Sequence, residues 1–305
     1  MPKARANNIS IEYETFGTPS SPPILLIIGL GGHLIYWDDT FCRYLSEANR
    51  YVIRFDNRDA GLSTKFEQAG VPDIMDVMGK LMGGQKVTPP YTIEDMAADA
   101  VGLLDALNIE KAHLCGMSMG GMIAQSIAIN YPRRVLSLIS IYSTTGNPRL
   151  PPPKPEVLGL LMSPPPQERE GFVQFNIDLF RALTGPRFGL DEQWVRKLMT
   201  REYDRNFCPQ GTARQLVAIL SQSDRRAALK NVRVPTLVIH GDADPLVSLE
   251  AGKDTAEAVP GAELRIMEGM GHDLPHGEAW TQIAKDIITH TEKASAQTLG
   301  ESHVR

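Results

Sequence analysis

Gly116-Met117-Ser118-Met119-Gly120 constrains this chain more than any other stretch. The short apolar run His113-Leu114-Cys115 precedes it. Gly121-Met122-Ile123-Ala124-Gln125-Ser126-Ile127-Ala128-Ile129 follows, with no proline until Pro132. That order predicts a buried strand, a very tight turn and a buried helix. A G-x-S-x-G pattern at such a turn lifts the serine off the end of a sheet. The turn forces the serine backbone into a strained conformation, so a Cβ two positions to either side would collide with the flanking strand and helix. The helix behind the serine contributes free N–H groups and the positive end of its dipole. The bare pattern also fits a plain glycine-rich loop, so its weight depends on the rest of the chain.

Taken in order, the chain alternates strands and helices. Ile9-Ser10-Ile11-Glu12-Tyr13-Glu14 alternates apolar and polar as a half-buried edge strand does. After a turn at Pro19 to Pro23, Ile24 to Ile28 reads as a central parallel strand running into Gly29-Leu30-Gly31-Gly32. Tyr51 to Asp56 is the next strand and opens into the polar turn Asn57 to Ser63. Ile74 to Met82 is a helical excursion over the site, inside a less regular stretch. Thr92 caps a helix, with Asp95 three positions on. Its buried stripe is Ile93, Met96, Ala100, Leu103, Leu104 and Leu107. Val135 to Ile141 is a strand. Prolines then cluster from Asn147 to Pro166 and helical patterns follow without strands, carrying Phe172, Phe175, Trp194 and Met199. Strands resume at Pro235 to His240 and at Glu263 to Ile266. A last helix covers His276 to His290, with a frayed polar tail after Lys293.

This reading predicts an α/β chain: a mostly parallel sheet with helices on both faces and an all-helical insertion. The core comprises residues 1–144 and 226–305, and the insertion, a cap or lid, residues 145–225. In such sheets ligands bind at the carboxyl ends of the strands. The net charge of −5 gives no reason to expect nucleic acid or an anionic membrane as a partner. The longest apolar run, Ile24 to Ile28, is far too short to span a bilayer. The N-terminus lacks the apolar segment of a signal peptide. Cys42, Cys115 and Cys208 form no metal-binding or disulfide spacing, which suits reduced thiols in the cytoplasm. Nothing in the sequence sets an oligomeric state.

The loops after the strands carry the chemistry. A serine hydroxyl is a weak nucleophile until a base takes its proton, and near neutral pH that base is a histidine held by a carboxylate. His240 is followed by Gly241-Asp242-Ala243-Asp244-Pro245, and Ile266 by Met267-Glu268-Gly269-Met270-Gly271-His272. Serine, aspartate and histidine thus fall at successive strand ends in the order Ser118, Asp244, His272. Asp242 is the alternative carboxylate. His272, after Gly271 at a strand end, is the base. His276 at a helix start suits capping, His240 suits buried structure and His113 suits the surface. A tetrahedral intermediate needs two hydrogen-bond donors. The Met119 amide supplies one and the Leu30 amide the other, with Gly31 next. Gly31, His33 and Trp37, with Tyr36, are candidates for substrate contact. The glycine loop fits neither a phosphate-binding nor a dinucleotide-binding pattern.

These pieces together resemble the α/β-hydrolases of the large single-cap group. They are Leu26 to Leu30, Phe55 to Ser63, Gly116 to Gly121, Pro235 to Asp244 and Gly271-His272, spread from about residue 9 to 290. The turn Asp56-Asn57-Arg58-Asp59-Ala60-Gly61-Leu62-Ser63 and the Gly-Leu-Gly-Gly loop are similar to the aclacinomycin methylesterase-like branch, which cleaves a methyl ester on a polyketide. Many relatives have His-Gly where this chain has Ile28-Gly29, a departure that bears on the second oxyanion donor. Serine at the nucleophile position argues against the haloalkane dehalogenases and epoxide hydrolases, which carry aspartate there. The resemblance implies a serine hydrolase that cleaves small-molecule carboxylic esters with a hydrophobic moiety, through an acyl-enzyme and without metal or organic cofactor. Carbon–carbon bond hydrolases and lactonases use the same three residues, and some relatives only bind ligands. These remain the alternatives.

Overall fold

The central strands are buried at nearly every position, as in Ile24 to Ile27 and Thr236 to Gly241, so the sheet buries both faces. The computed structural model describes residues 2–274 and 277–302. Its strands are β1 Lys3–Ala6, β2 Ile9–Phe16, β3 Pro23–Ile27, β4 Tyr51–Phe55, β5 Ala112–Met117, β6 Val135–Ile141, β7 Thr236–Gly241 and β8 Glu263–Met267. Its helices are α1 Asp39–Glu47, α2 Ile74–Met82, α3 Ile93–Ala106, α4 Met119–Asn130, α5 Pro155–Met162, α6 Arg169–Leu183, α7 Glu192–Asn206, α8 Pro209–Leu220, α9 Arg226–Leu229, α10 Leu249–Ala258 and α11 Glu278–Ser302. One sheet runs in the order β1-β2-β4-β3-β5-β6-β7-β8. β2 pairs antiparallel with β1 and β4, and every later pairing is parallel.

Leu25 and Ile27 of β3 point into one layer with α3 and α4. Ile24, Leu26 and Ile28 point into the opposite layer, with Phe41 and Leu45 of α1 and Ile283 and Ile287 of α11. This period of two is what a sheet covered on both faces requires. Helix α3 begins as expected: Thr92 and Asp95 cap each other reciprocally. A third apolar cluster joins Phe172, Ile177, Val195 and Met199 of α6 and α7 to Leu34 and Ile35, just past the glycine loop. Among the described residues α5 to α9 lie between β6 and β7 with no strand between them.

Three local expectations change, and one helix is added. Lys3–Ala6 pairs with β2 and takes the sheet edge, so β2 is an inner strand. Asp39–Glu47 is helical. Asp38 accepts the Thr40 amide at its start, and Phe41, Cys42 and Leu45 are its buried stripe. Helix α11 continues past Lys293 instead of fraying, because its inner face stays covered: Ala294 is buried and Ser295 Oγ lies 3.2 Å from His113 Nε2. The same contact corrects His113, which is fully buried rather than on the surface, with Nδ1 2.8 Å from Ser137 Oγ.

Candidate active site

Strand register brings the carboxyl ends of the central strands level. Ile27 stands opposite Gly116, Met117 opposite Ile141, Ile141 opposite Ile239, and Gly241 opposite Met267. The loops that follow therefore meet above one edge. Between β5 and α4, Ser118 has φ 53° and ψ −122°, a left-handed conformation rare for a residue with a side chain. Its amide donates to the Ile141 carbonyl at 2.9 Å, and its own carbonyl accepts Ser143 Oγ at 2.7 Å. The glycines are there for steric reasons. A Cβ on Gly116 would overlap the Gly120 backbone, and one on Gly120 would overlap the Ile27 carbonyl of β3. A Cβ on Gly29 would come within 3.3 Å of Ser118 Cβ.

Ser118 Oγ lies 3.0 Å from His272 Nε2, and His272 Nδ1 lies 2.7 Å from Asp244 Oδ2. An ionised carboxylate only accepts, so Nδ1 carries the proton. In the neutral ring Nε2 is then the acceptor that faces the serine hydroxyl. Asp244 Oδ1 accepts the Leu246 and Val247 amides, each at 2.8 Å. Burial works to raise the Asp244 carboxyl, but His272 and a hydrogen bond from His240 outweigh it and hold it well below the usual range. His240 is buried, as expected, with Nε2 donating to the Val247 carbonyl at 2.8 Å. Asp242, the alternative carboxylate, points elsewhere: it is exposed and accepts the Gly269 amide at 2.6 Å. His276 lies outside the described residues.

The His272 segment is held from several sides. Its amide donates to the Leu183 carbonyl at the end of α6, at 2.9 Å. The Tyr142 ring sits 4.6 Å from the imidazole, centroid to centroid, at φ 36°, and its hydroxyl donates to Met117 Sδ at 3.0 Å. Asp273 is buried, and its Oδ2 accepts Thr184 Oγ1 at 2.9 Å. Burial pushes its carboxyl up to about 7.

The glycine loop is tied down on its far side. The Gly31 amide, next to Leu30 among the candidate donors, is already engaged: it donates to Gln215 Oε1 of α8 at 2.8 Å. The His33 amide hydrogen-bonds the Glu202 carboxyl of α7, which burial and then Asp56 push up to about 8. The Leu34 amide donates to Asp56 Oδ1 at 2.7 Å. His33 is buried beside this cluster, and burial lowers its imidazole to about 4. Trp37, a candidate for substrate contact, is corrected to a core residue: it is wholly buried with its ring 5.5 Å from Phe41. The ring is displaced because the chain has already turned into the one-turn helix Leu34–Tyr36 that leads to α1. Tyr36 instead stacks on Phe180 of α6 at 5.8 Å.

The polar turn after β4 does more than reverse the chain. Asp56 also pairs with Arg205 of α7 at 3.0 Å, and Asn57 Nδ2 donates to the Ile28 carbonyl at 3.0 Å. Arg58 pairs with Asp99 at 2.6 Å, and Asp59 with Arg214 of α8 at 2.8 Å. Sequence reasoning missed Asp56, Tyr142, Glu202, Gln215 and Asp273. The one local signal was the density of charge in Asp56-Asn57-Arg58-Asp59, more than a solvated turn needs. Among the described residues no group of three or more His, Cys, Asp or Glu side chains could hold a metal ion.

Comparison with known proteins agrees with this architecture. Rhodomycin D methylesterase of Streptomyces peucetius is 28% identical, across 97% of this chain and 100% of its own length. A 3-oxoadipate enol-lactonase of Acinetobacter baylyi is 23% identical across 86% of each. The crystal structure of an enol-lactonase from Burkholderia xenovorans superposes with a TM-score of 0.72 at 23% identity, covering 95% of this chain and 99% of that one. The family model described as alpha/beta hydrolase fold matches residues 22–279. With that match over most of its length, the chain belongs to the α/β-hydrolase fold family.

Proposed function

We propose that the protein is a serine hydrolase that cleaves carboxylic esters through an acyl-enzyme intermediate. The observation that carries this reading is the continuous path from Ser118 Oγ through His272 to Asp244, with separations of 3.0 and 2.7 Å. Ser118 attacks the ester carbonyl while His272 Nε2 takes its proton. Asp244 keeps the imidazole in the required tautomer and stabilises its cation. The amides of Met119 and Leu30 hold the oxyanion. The Gly31 amide, already bonded to Gln215, supports Leu30 over its neighbour. His272 then protonates the leaving alcohol, and water, deprotonated by the same histidine, releases the acid.

An ester substrate is favoured because the methylesterase likeness extends over nearly the whole chain. We read residues 145–225 as a cap over Ser118, with Phe175 and Trp194, both half-buried on its helices, as candidates for an apolar pocket wall. The three cysteines are free, which suits a reducing compartment such as the cytoplasm.

A lactonase is the second reading, favoured by the likeness to the enol-lactonase of Acinetobacter. A panel of p-nitrophenyl esters, methyl esters, lactones and carbon–carbon hydrolase diketones separates the two by kcat/KM. Ser118→Ala is expected to lower turnover of the best substrate by roughly 10⁴-fold or more. A fluorophosphonate probe is expected to label Ser118 in the folded protein. Near wild-type turnover by Ser118→Ala, or no labelling, would reject the serine mechanism.

A further inference from the structure

We propose that Gln215 of α8 is a positioning residue for the oxyanion loop: by holding the Gly31 amide it fixes the Leu30–Gly31 peptide, and with it the adjoining Gly29–Leu30 peptide whose Leu30 N–H faces the tetrahedral intermediate. The proposal rests on the serine hydrolase reading above and names a part of that site outside the three reacting side chains.

Gly29-Leu30-Gly31-Gly32 has little to hold it in place by itself. Its one internal hydrogen bond, from the Gly32 amide to the Gly29 carbonyl, is long at 3.4 Å. Gly31 sits at φ 69°. With three glycines in four residues, the peptide planes can rotate at little steric cost. Rotation of the Leu30–Gly31 plane would swing the Leu30 carbonyl and drag the adjoining Gly29–Leu30 peptide, so the Leu30 N–H would lose its aim at the developing negative charge. Gln215 opposes that rotation. It is fully buried, its Oε1 accepts the Gly31 amide at 2.8 Å, and its Nε2 donates to the Arg58 carbonyl at 2.7 Å. The amide group is thus anchored to the core at one end and to the loop at the other. Thr212, one turn earlier on the same helix face, fills the space where a Gly31 Cβ would stand, 2.9 Å from its Oγ1. Gln215 lies 184 residues from Gly31, so α8 brings to the loop a constraint that the loop lacks.

The test is Gln215→Met, which keeps side-chain length and removes both hydrogen bonds. Expected are a kcat for p-nitrophenyl acetate at least tenfold lower, a KM within threefold, and affinity for a trifluoromethyl ketone reduced by the same factor as kcat/KM. Substrate-like amides that bind without forming an oxyanion are expected to lose less than threefold. Gln215→Glu keeps an acceptor for the Gly31 amide and loses the donor to Arg58. It is expected to retain at least a third of wild-type kcat at pH 8, and it carries the test if Gln215→Met does not fold. Unchanged kcat in Gln215→Met overturns the proposal. So does equal weakening of ketone and amide, the mark of a merely structural role, or a Gln215→Glu as impaired as Gln215→Met. The wild-type protein is assayed first: if it neither turns over esters nor takes a fluorophosphonate label, the serine hydrolase reading itself fails. A wild type that does both, beside an unimpaired Gln215→Met, removes Gln215 alone.

Discussion

Arg214 of α8 grips Asp59 with two prongs: Nε and Nη2 each lie 2.8 Å from a carboxylate oxygen, and both side chains are buried. The Tyr91 hydroxyl donates to the same carboxylate at 2.7 Å. One residue belongs to the turn after β4 and the other to the helices between β6 and β7. The pair therefore fixes α8 against the core, and through Gln215 it bears on the glycine loop.

Breaking a buried ion pair from one side leaves an uncompensated charge. Arg214→Met is expected to destabilise the fold by about 3–5 kcal/mol, whereas the double change Arg214→Met with Asp59→Leu costs less because no charge is stranded. Urea unfolding of the wild type, both singles and the double checks this. A double variant less stable than either single would contradict it.

The two aspartates after β7 are separated by their partners. Asp244→Asn disturbs the histidine tautomer without removing bulk and is expected to lower kcat about 10⁴-fold. Asp242→Asn keeps an oxygen for the Gly269 amide and is expected to stay within about twofold of wild-type kcat, as exposed changes of this kind do. Steady-state kinetics on one ester decides between them, and the reverse ranking would place the orienting carboxylate at Asp242.

Gly120 tolerates no side chain, since a Cβ would overlap the Ile27 carbonyl, which is backbone and cannot swing away. Gly120→Ala is expected to cost about 1–3 kcal/mol or more through forced displacement of α4 from β3. It should also lower ester turnover, because Ser118 rides on the same turn. Thermal unfolding and turnover measured on the same preparation test both effects.

Asp273 carries a pH dependence. Its carboxyl, at about 7 when folded against an ordinary 3.8, holds its proton more tightly in the native state. A raised carboxyl contributes stability that is full below the unfolded value and is lost as pH rises through the folded one. The window therefore runs from about pH 4 to about pH 7. Asp273→Asn cannot ionise and lacks this loss, so its Tm relative to wild type is expected to climb as pH rises across that window. Asp244 has the opposite sign and weakens the fold only toward acid, in both proteins alike. A Tm difference independent of pH would reject the assignment.

Short-range sterics and alternation made much of the fold legible. The strands at Ile24, Tyr51, Val135 and Thr236, the capping pair Thr92 and Asp95, and the glycines around Ser118 are all set by neighbours a few residues away. The order of Ser118, Asp244 and His272 at strand ends was legible because parallel sheets gather their functional loops at one edge. Strand β1 was hidden because Lys3-Ala4-Arg5-Ala6 contains no β-branched or aromatic residue and becomes a strand only by pairing with β2.

The burial of His113 was hidden for the same kind of reason, since it depends on Ser137 and on Ser295 of α11, which no nearby residue announces. Trp37 looked like a pocket residue from its place after the glycine loop, and the turn into α1 put it in the core. For the oxyanion the sequence put the Leu30 amide first and Gly31 next, without sight of what either amide meets in the fold. The structure adds a bond from the Gly31 amide to Gln215, 184 residues away. Local sterics wrote the tight turn at Ser118, the capping of α3 and most of the strands into the chain. The bond that occupies the Gly31 amide, the carboxylate that meets His272 and the anchoring of α8 came from long-range hydrogen bonds and ion pairs, whose partners become neighbours only when the sheet and helices have closed.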